Sequence, residues 1–369
     1  MRCSITDRST SAICGRIRLY PPSRRAAAVA VSLFFCLAVV GTRASAPGCH
    51  DVVPDAGRHV EWIAPAPIAV RAQLSRWCDT VGPILFEPAV ASASHAPLDH
   101  LTVVTWNVHV GGGNVDAFVA QLRRGDLTGG EPVTDFVLLL QETYRAGADV
   151  PADFPRGFPV PGPIAPAPPG AVREDVRSVA HEHGLAVLYA PSMRNGAVFR
   201  VPEDRGNAIL STIALDDPLV VELPLERQRR VAAAATIAGR TTGGAPWQLR
   251  IANVHLDTAV FTRGGPFRAR RRQAEALIDA LRAPASIPTL VAGDFNTWMG
   301  DEEPALAAMR AAFPIRSASQ DERPTWSGAL GLRARLDHVF ARGVRAIDVR
   351  RLSGRFGSDH FPVLARVSF

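Results

Sequence analysis

Short, almost unbroken apolar runs alternate along the chain with amphipathic segments, and the two patterns predict different elements. "LTVVTWNVHV" (Leu101–Val110) and "DFVLLLQET" (Asp135–Thr143) are apolar nearly throughout, as strands covered on both faces are. "LAVLYAP", "NAILST", "VAAAATIAG", "WQLRIANVHLD", "LVAG", "ARLDHVFARG" and "DHFPVLARVSF" predict further strands. "VDAFVAQLRRG" instead sets Val115, Phe118, Val119 and Leu122 on one helical face, and "EDVRSVAHEHG" and "RARRRQAEALIDALR" predict two more helices. Strands dominate, helices fall irregularly and no repeat is visible, so two packed sheets with helices outside fit better than one doubly wound sheet. Residues 47–98, with scattered Pro and Ala, read as a poorly patterned lead-in to a domain over 99–369. The Pro-rich stretch 150–170 can be neither helix nor central strand and predicts a surface insertion or lid.

The apolar runs end or break on a restricted set of polar residues. Asn107 follows "VVTW", Glu142 follows "FVLLLQ", Asn253 and His255 follow "LRIA", and Asp294 and Asn296 follow "LVAG". Asp337 and His338 interrupt "RL…VF", and Asp359 and His360 precede "FPVLARV". With a side-chain period of two, Asn253 and His255 share a face, as do Asp294 and Asn296 if the strand continues; Gly293 allows a close backbone approach. Any one of these is equally an Asx turn or a cap. Caps favour Ser, Thr and Gly as much, however, so six such endings point to one polar pocket built from converging strand ends. His109 shares a face with Asn107, and Tyr144 and Arg145 are candidate substrate contacts. His338 is expected to face away from Asp337. His181 and His183, two apart on a helix, fall on different faces and do not suit a metal pair. Arg268–Arg272 reads as a solvated helix face.

Charge alters this picture only at the N-terminus. The 369 residues carry 41 basic groups, every one Arg, and a net charge of +6. Seven of those arginines and only Asp7 among the acids lie in residues 1–46, so 47–369 is balanced and gives no global support to a nucleic-acid partner. Arg24-Arg25 precede an uncharged, mostly apolar stretch to Gly41, and Ala44-Ser45-Ala46 fits a small-residue cleavage site. The stretch is short for a membrane span, so an export signal over 1–46 is expected, leading to the periplasm or beyond. Cleavage would leave two cysteines, Cys49 and Cys78, which predict one disulfide; the competing reading is lipidation of Cys49 in "SAPGC".

Taken in order, "TWNV", "QET", "NVHL", "GDFN", "RLDHVF" and "SDHFPV" resemble the motif set of the endonuclease/exonuclease/phosphatase superfamily over about residues 99–369. The resemblance implies a four-layer α/β sandwich, two packed mixed β-sheets flanked by helices, and divalent-metal-dependent hydrolysis of phosphate esters. By that likeness Glu142 binds Mg²⁺ or Mn²⁺, with Asn107 and Asp359 beside it; hard cations of this kind prefer carboxylate oxygen. Asp294 orients or deprotonates the attacking water, and Asn296 holds a phosphate oxygen. His360 contacts the phosphoryl group with Asp337 fixing its tautomer, and His255 protonates the leaving oxygen. Asn107, Asn253, Tyr144 and Arg145 complete the expected substrate contacts. The implied partner is a phosphate ester, either nucleic acid or a phospholipid headgroup, acted on by a monomer without a stable protein partner. A catalytically dead binding module on the same fold is the remaining class; the presence of every acid and His together argues against it.

Overall fold

The computed structural model describes residues 48–369 except 55–56, 90–95, 154–171, 196–201, 259–264, 283 and 315–320. The expected leader and most of the Pro-rich stretch lie outside the described residues. Two mixed sheets form the centre. The first has eight strands, in the order β1 (Val52–Val53), β3 (Ile84–Glu87), β6 (Ala186–Arg194), β7 (Glu203–Ser211), β5 (Phe136–Ala146), β4 (His100–Asn107), β16 (Val363–Ser368) and β15 (Ala346–Arg351). The second has six: β14 (Asp337–Arg342), β11 (Thr289–Asp294), β10 (Pro246–His255), β9 (Val231–Arg240), β8 (Asp216–Glu222) and β2 (Glu61–Ile63). A small hairpin, β12 (Trp326–Ser327) with β13 (Arg333–Ala334), bridges to His360 in the turn before β16.

Three apolar clusters fill the spaces between layers. Val103, Leu139, Ile209, Ala233, Ile251 and Leu290 belong to the cluster joining the inner faces of the two sheets. The outer face of the first sheet packs on α2 (Val115–Arg124) and α3 (Val176–His183), with Phe118, Leu122 and Val179 meeting Val104 and Leu138. The outer face of the second packs on α4 (Gly265–Ala280) and α5 (Pro304–Ala312), with Leu277, Leu306 and Met309 meeting Val254 and Val291. The expected four-layer sandwich is therefore observed, and strands buried on both faces explain the unbroken apolar runs. α2 follows its pattern: Val115, Phe118, Val119 and Leu122 are its buried residues, Asn114 accepts from Ala117 N, and Gly125 ends it with φ 84°.

The segment read as a lead-in is woven into both sheets. β1 and β3 extend the first sheet beyond β6, β2 extends the second beyond β8, and α1 (Ile68–Cys78) lies between them in the chain. Cys49 and Cys78 are disulfide-bonded, the pairing expected for them. The solvated face expected for Arg268–Arg272 also needs correction at one position. Arg270 is 1% exposed, and its Nε and Nη2 each donate to Glu303 at 2.8 Å.

Candidate active site

Strand pairing creates the first half of the site. β10 and β11 run parallel and β14 antiparallel to β11, with His255 opposite Asp294 and Asp294 opposite Asp337. One rung of the second sheet thus holds an imidazole and two carboxylates. The first sheet supplies Asn107 at the end of β4 and Glu142 within β5, where a bulge interrupts the register between Leu140 and Thr143. Glu142 has φ 53°, a conformation costly for a residue with a side chain and concentrated at functional sites. The turn before β16 is tied down by Ser358, whose Oγ donates to Asn107 O at 2.6 Å and accepts from His360 N at 3.0 Å.

Asp294 is the hub. Its Oδ1 accepts from Asn296 N at 2.8 Å and its Oδ2 from Asn107 Nδ2 at 3.0 Å. His255 Nε2 and His360 Nε2 lie 3.4 and 3.7 Å from the same Oδ2. The strand stops at Asp294, and Asn296 turns into φ 52°, so the pair converges through an Asx turn and not through the pleat. The capping reading of "GDFN" thus holds for Oδ1, while Oδ2 faces Asn107, His255 and His360. Gly293 is required: a Cβ there would sit 1.8 Å from Val254 O, and its φ is 155°. Burial pushes the Asp294 carboxyl up to about 7, with the Asp337 charge adding and His360 and Asn107 opposing.

The two histidines are pushed in opposite directions. Burial alone would neutralise His360, but Asp337 2.8 Å from its Nδ1, together with Asp294 and Asp359, raises it to about 10, so it is an imidazolium. Burial lowers His255 well below its ordinary value, and the Arg230 guanidinium donating to its Nδ1 at 3.0 Å adds to this. His255 is therefore in the expected place, with burial and the Arg230 guanidinium both disfavouring its protonated form. His338 faces away, as expected: its Nε2 meets Thr297 Oγ1 at 2.9 Å beneath the Phe295 ring.

Among the metal candidates, Glu142 fits best. Among the described residues its half-buried carboxylate makes no hydrogen bond or ion pair, leaving hard oxygen donors open. Asp359 is held on both oxygens, by His109 Nδ1 at 2.9 Å and Trp326 Nε1 at 2.8 Å. Although its burial opposes this, those contacts and the His360 charge hold its carboxyl well below the usual range, so it stays an anion available to a cation. Asn107 has spent one amide hydrogen on Asp294, and its Oδ1 accepts from His109 N at 3.0 Å. Asp294, Asp337 and His360 also place ligand atoms within 4.8 Å of one another, a second group able to hold a cation.

Two expected substrate contacts are corrected. Asn253 is fully buried: it accepts from Gln141 Nε2 at 2.7 Å and donates to Leu140 O and Ala208 O at 2.8 Å each. It shares the face of His255, as the period requires, but lies two residues deeper, and there it braces one sheet against the other. Arg145 is 4% exposed and bound to Asp204 through Nε and Nη2 at 3.1 and 2.5 Å and to Pro83 O at 2.6 Å. Along the end of β5, residues 142, 144 and 146 are half-exposed while 141, 143 and 145 are buried. Tyr144 thus shares the outward row of Glu142, with burial and a hydrogen bond to Glu203 raising its phenol, while neighbouring Arg145 points inward. Arg230 and Trp326 were missed. In a chain whose 41 basic residues are all Arg, nothing local distinguishes Arg230.

A four-layer sandwich whose strand ends gather two imidazoles, several carboxylates and two carboxamides around one small space is the architecture of a phosphoesterase. The chain belongs to the Endonuclease/Exonuclease/phosphatase family, whose model matches residues 104–360. Similar in fold is an endonuclease/exonuclease/phosphatase from Beutenbergia cavernae DSM 12333, 18% identical with a TM-score of 0.50, covering 74% of this chain and 72% of that one. The human nocturnin catalytic domain with bound sulfate is 19% identical with a TM-score of 0.45, covering 74% of this chain and 96% of that one. A UPF0294 protein of Vibrio cholerae is 34% identical over 115 residues, which are 31% of this chain; the match spans only 38% of that relative.

Proposed function

We propose that the chain is an exported, divalent-metal-dependent phosphodiesterase of the nuclease type, hydrolysing its substrate by in-line attack of water. The observation that supports this best is the Asp294 carboxylate, buried, pushed up to about 7, and fixed by Asn107 and the Asn296 backbone. A base poised near neutral pH takes the proton from water as the new P–O bond forms, and the ester P–O bond breaks with its electron pair going to the leaving oxygen. His360, an imidazolium braced by Asp337, presents Nε2–H to a phosphoryl oxygen where negative charge develops. Asn296 keeps its Nδ2 on Leu256 O at 2.9 Å, with a second amide hydrogen for the phosphate. A cation held by Glu142 with Asp359 and Asn107 would neutralise charge on the phosphoryl oxygens. Chelation by EDTA is expected to abolish hydrolysis, with Mg²⁺ or Mn²⁺ restoring it. Glu142→Gln should raise the metal concentration needed for half-maximal rate by roughly 10–100-fold. Full activity in EDTA would remove the metal from the reading.

One observation favours a phospholipid headgroup as the alternative substrate. Trp298 packs edge-on against Trp326, the Asp359 partner, with ring centroids 4.7 Å apart. Trp298, Met299, Leu330 and Leu332 are 43%, 68%, 100% and 60% exposed, on the loop after Asn296 and on the β12–β13 hairpin. A panel of plasmid DNA, RNA, sphingomyelin vesicles and phosphoinositide vesicles, assayed with the same preparation, separates the two.

Export is supported by the Arg24-Arg25 leader pattern and by a disulfide, a bond that persists in oxidising compartments. Secreted protein should begin near Pro47 and carry an unmodified Cys49–Cys78 bond by mass spectrometry. Its reduction, opening a separation of 29 residues, should cost about 2–5 kcal/mol of stability. Secreted material that retains residues 1–46 would overturn the proposed export signal.

A further inference from the structure

The His255 ring is 3% exposed, and the charged groups that face it come from several elements. Arg230, just before β9, meets Nδ1; Asp294 of β11 meets Nε2; His360 and Arg205 act on it from the first-sheet side. A guanidinium offers only donors, so the Nδ1 it touches at 3.0 Å must be a lone pair, and the ring proton must sit on Nε2. Adding a second proton would set an N–H against an N–H and place a cation beside a cation, in a buried site where such repulsion is weakly screened. Arg230 is itself only 4% exposed, and Gln228, its amide oxygen turned toward the guanidinium, accepts from Nε and Nη2 at 3.3 and 2.6 Å. The guanidinium is therefore held on both sides, and its remaining edge is committed to the imidazole.

We propose that Arg230 is a positioning residue of the reaction: it fixes His255 as a neutral imidazole with its proton on Nε2, so that His255 binds a phosphoryl oxygen as a hydrogen-bond donor and does not protonate the leaving group. This rests on the phosphoesterase reading of the site and deepens it. A hydrogen-bond donor to the developing charge serves every ester alike, whereas a general acid matters most when the leaving oxygen is poor. Removing His255 should then cost the same factor, about 10²–10³, on a natural phosphodiester and on a p-nitrophenyl ester.

The decisive measurement is ¹⁵N–¹H correlation spectroscopy of the imidazoles in the purified protein, with His255 assigned by its loss in His255→Gln. The expected wild-type signal is one tautomer, protonated at Nε2, that does not titrate between about pH 5 and about pH 9. Arg230→Lys, which keeps a charged donor, should preserve that tautomer. Arg230→Gln should let the ring titrate within the range and make the rate of the variant newly sensitive to the leaving group. An imidazolium, or an Nδ1–H tautomer, in the wild-type protein at neutral pH overturns the proposal, and this reading is obtained even if the Arg230 variants fail to fold. Hydrolysis of no phosphate ester would sink the functional assignment while leaving the spectrum interpretable, so the two failures are distinguishable.

Discussion

Replacement of Asp294 by Asn is expected to lower kcat by about 10²–10⁴-fold with the fold intact. The amide has nearly the same shape but cannot take a proton, and the carboxyl it replaces is the one that burial has moved to about 7. The structural cost should be small, because the position donates nothing and accepts two hydrogen bonds, from Asn296 N at 2.8 Å and Asn107 Nδ2 at 3.0 Å. An asparagine with its oxygen toward one of them loses the other, about 1 kcal/mol. Steady-state kinetics and a thermal melt on the same preparation test both parts. Retention of kcat within about tenfold, a barrier change under about 1.4 kcal/mol, would exclude Asp294 as the base.

Arg145→Ala should do the opposite, destabilising strongly without a specific effect on chemistry. Its partner Asp204 is fully buried and also accepts from Tyr189 Oη and Gly82 N, both at 2.8 Å. Deleting the guanidinium leaves an unpaired buried charge, which costs about 3–5 kcal/mol. Joint replacement of Arg145 and Asp204 by neutral residues of similar volume should recover much of that loss. Denaturant titration measures the first effect, and KM of the folded variant, measured well below its midpoint, should be unchanged. A raised KM with wild-type stability would return Arg145 to the substrate-contact role that its place after Glu142 suggested.

Arg145 also illustrates where sequence reasoning fails. The motif "QETYR" places Glu142, Tyr144 and Arg145 together in one dimension, but the pleat sends Arg145 to the buried side. Asn253 fails differently: its face is right and its depth is wrong, because period-two reasoning orders residues around a strand without saying how far each lies from the mouth. The missed elements share a cause too. β15 is an edge strand, β8 lies one strand in from its sheet's edge and α1 and α5 are short helices, all with burial patterns broken by exposed positions, and β1 and β2 are too short to show any period. Each is recruited by a partner already in place, β15 by β16 and β8 by β9.

By itself the sequence determined the sandwich, the strands that build its centre and the chemical kinds of residue at their ends. Those features are local: an apolar run buried on both faces, a glycine where a side chain cannot fit, a carboxylate after a strand. Only the tertiary structure decided which of those groups share a space and which charge each carries. Asn107 meets Asp294 across 187 residues, Asp337 meets His360 across 23, and Arg230 meets His255 across 25. Proton affinity depends on burial and on the nearest charges in space. Two histidines written alike in the chain are therefore pushed, once folded, in opposite directions, His360 toward its charged form and His255 toward its neutral one.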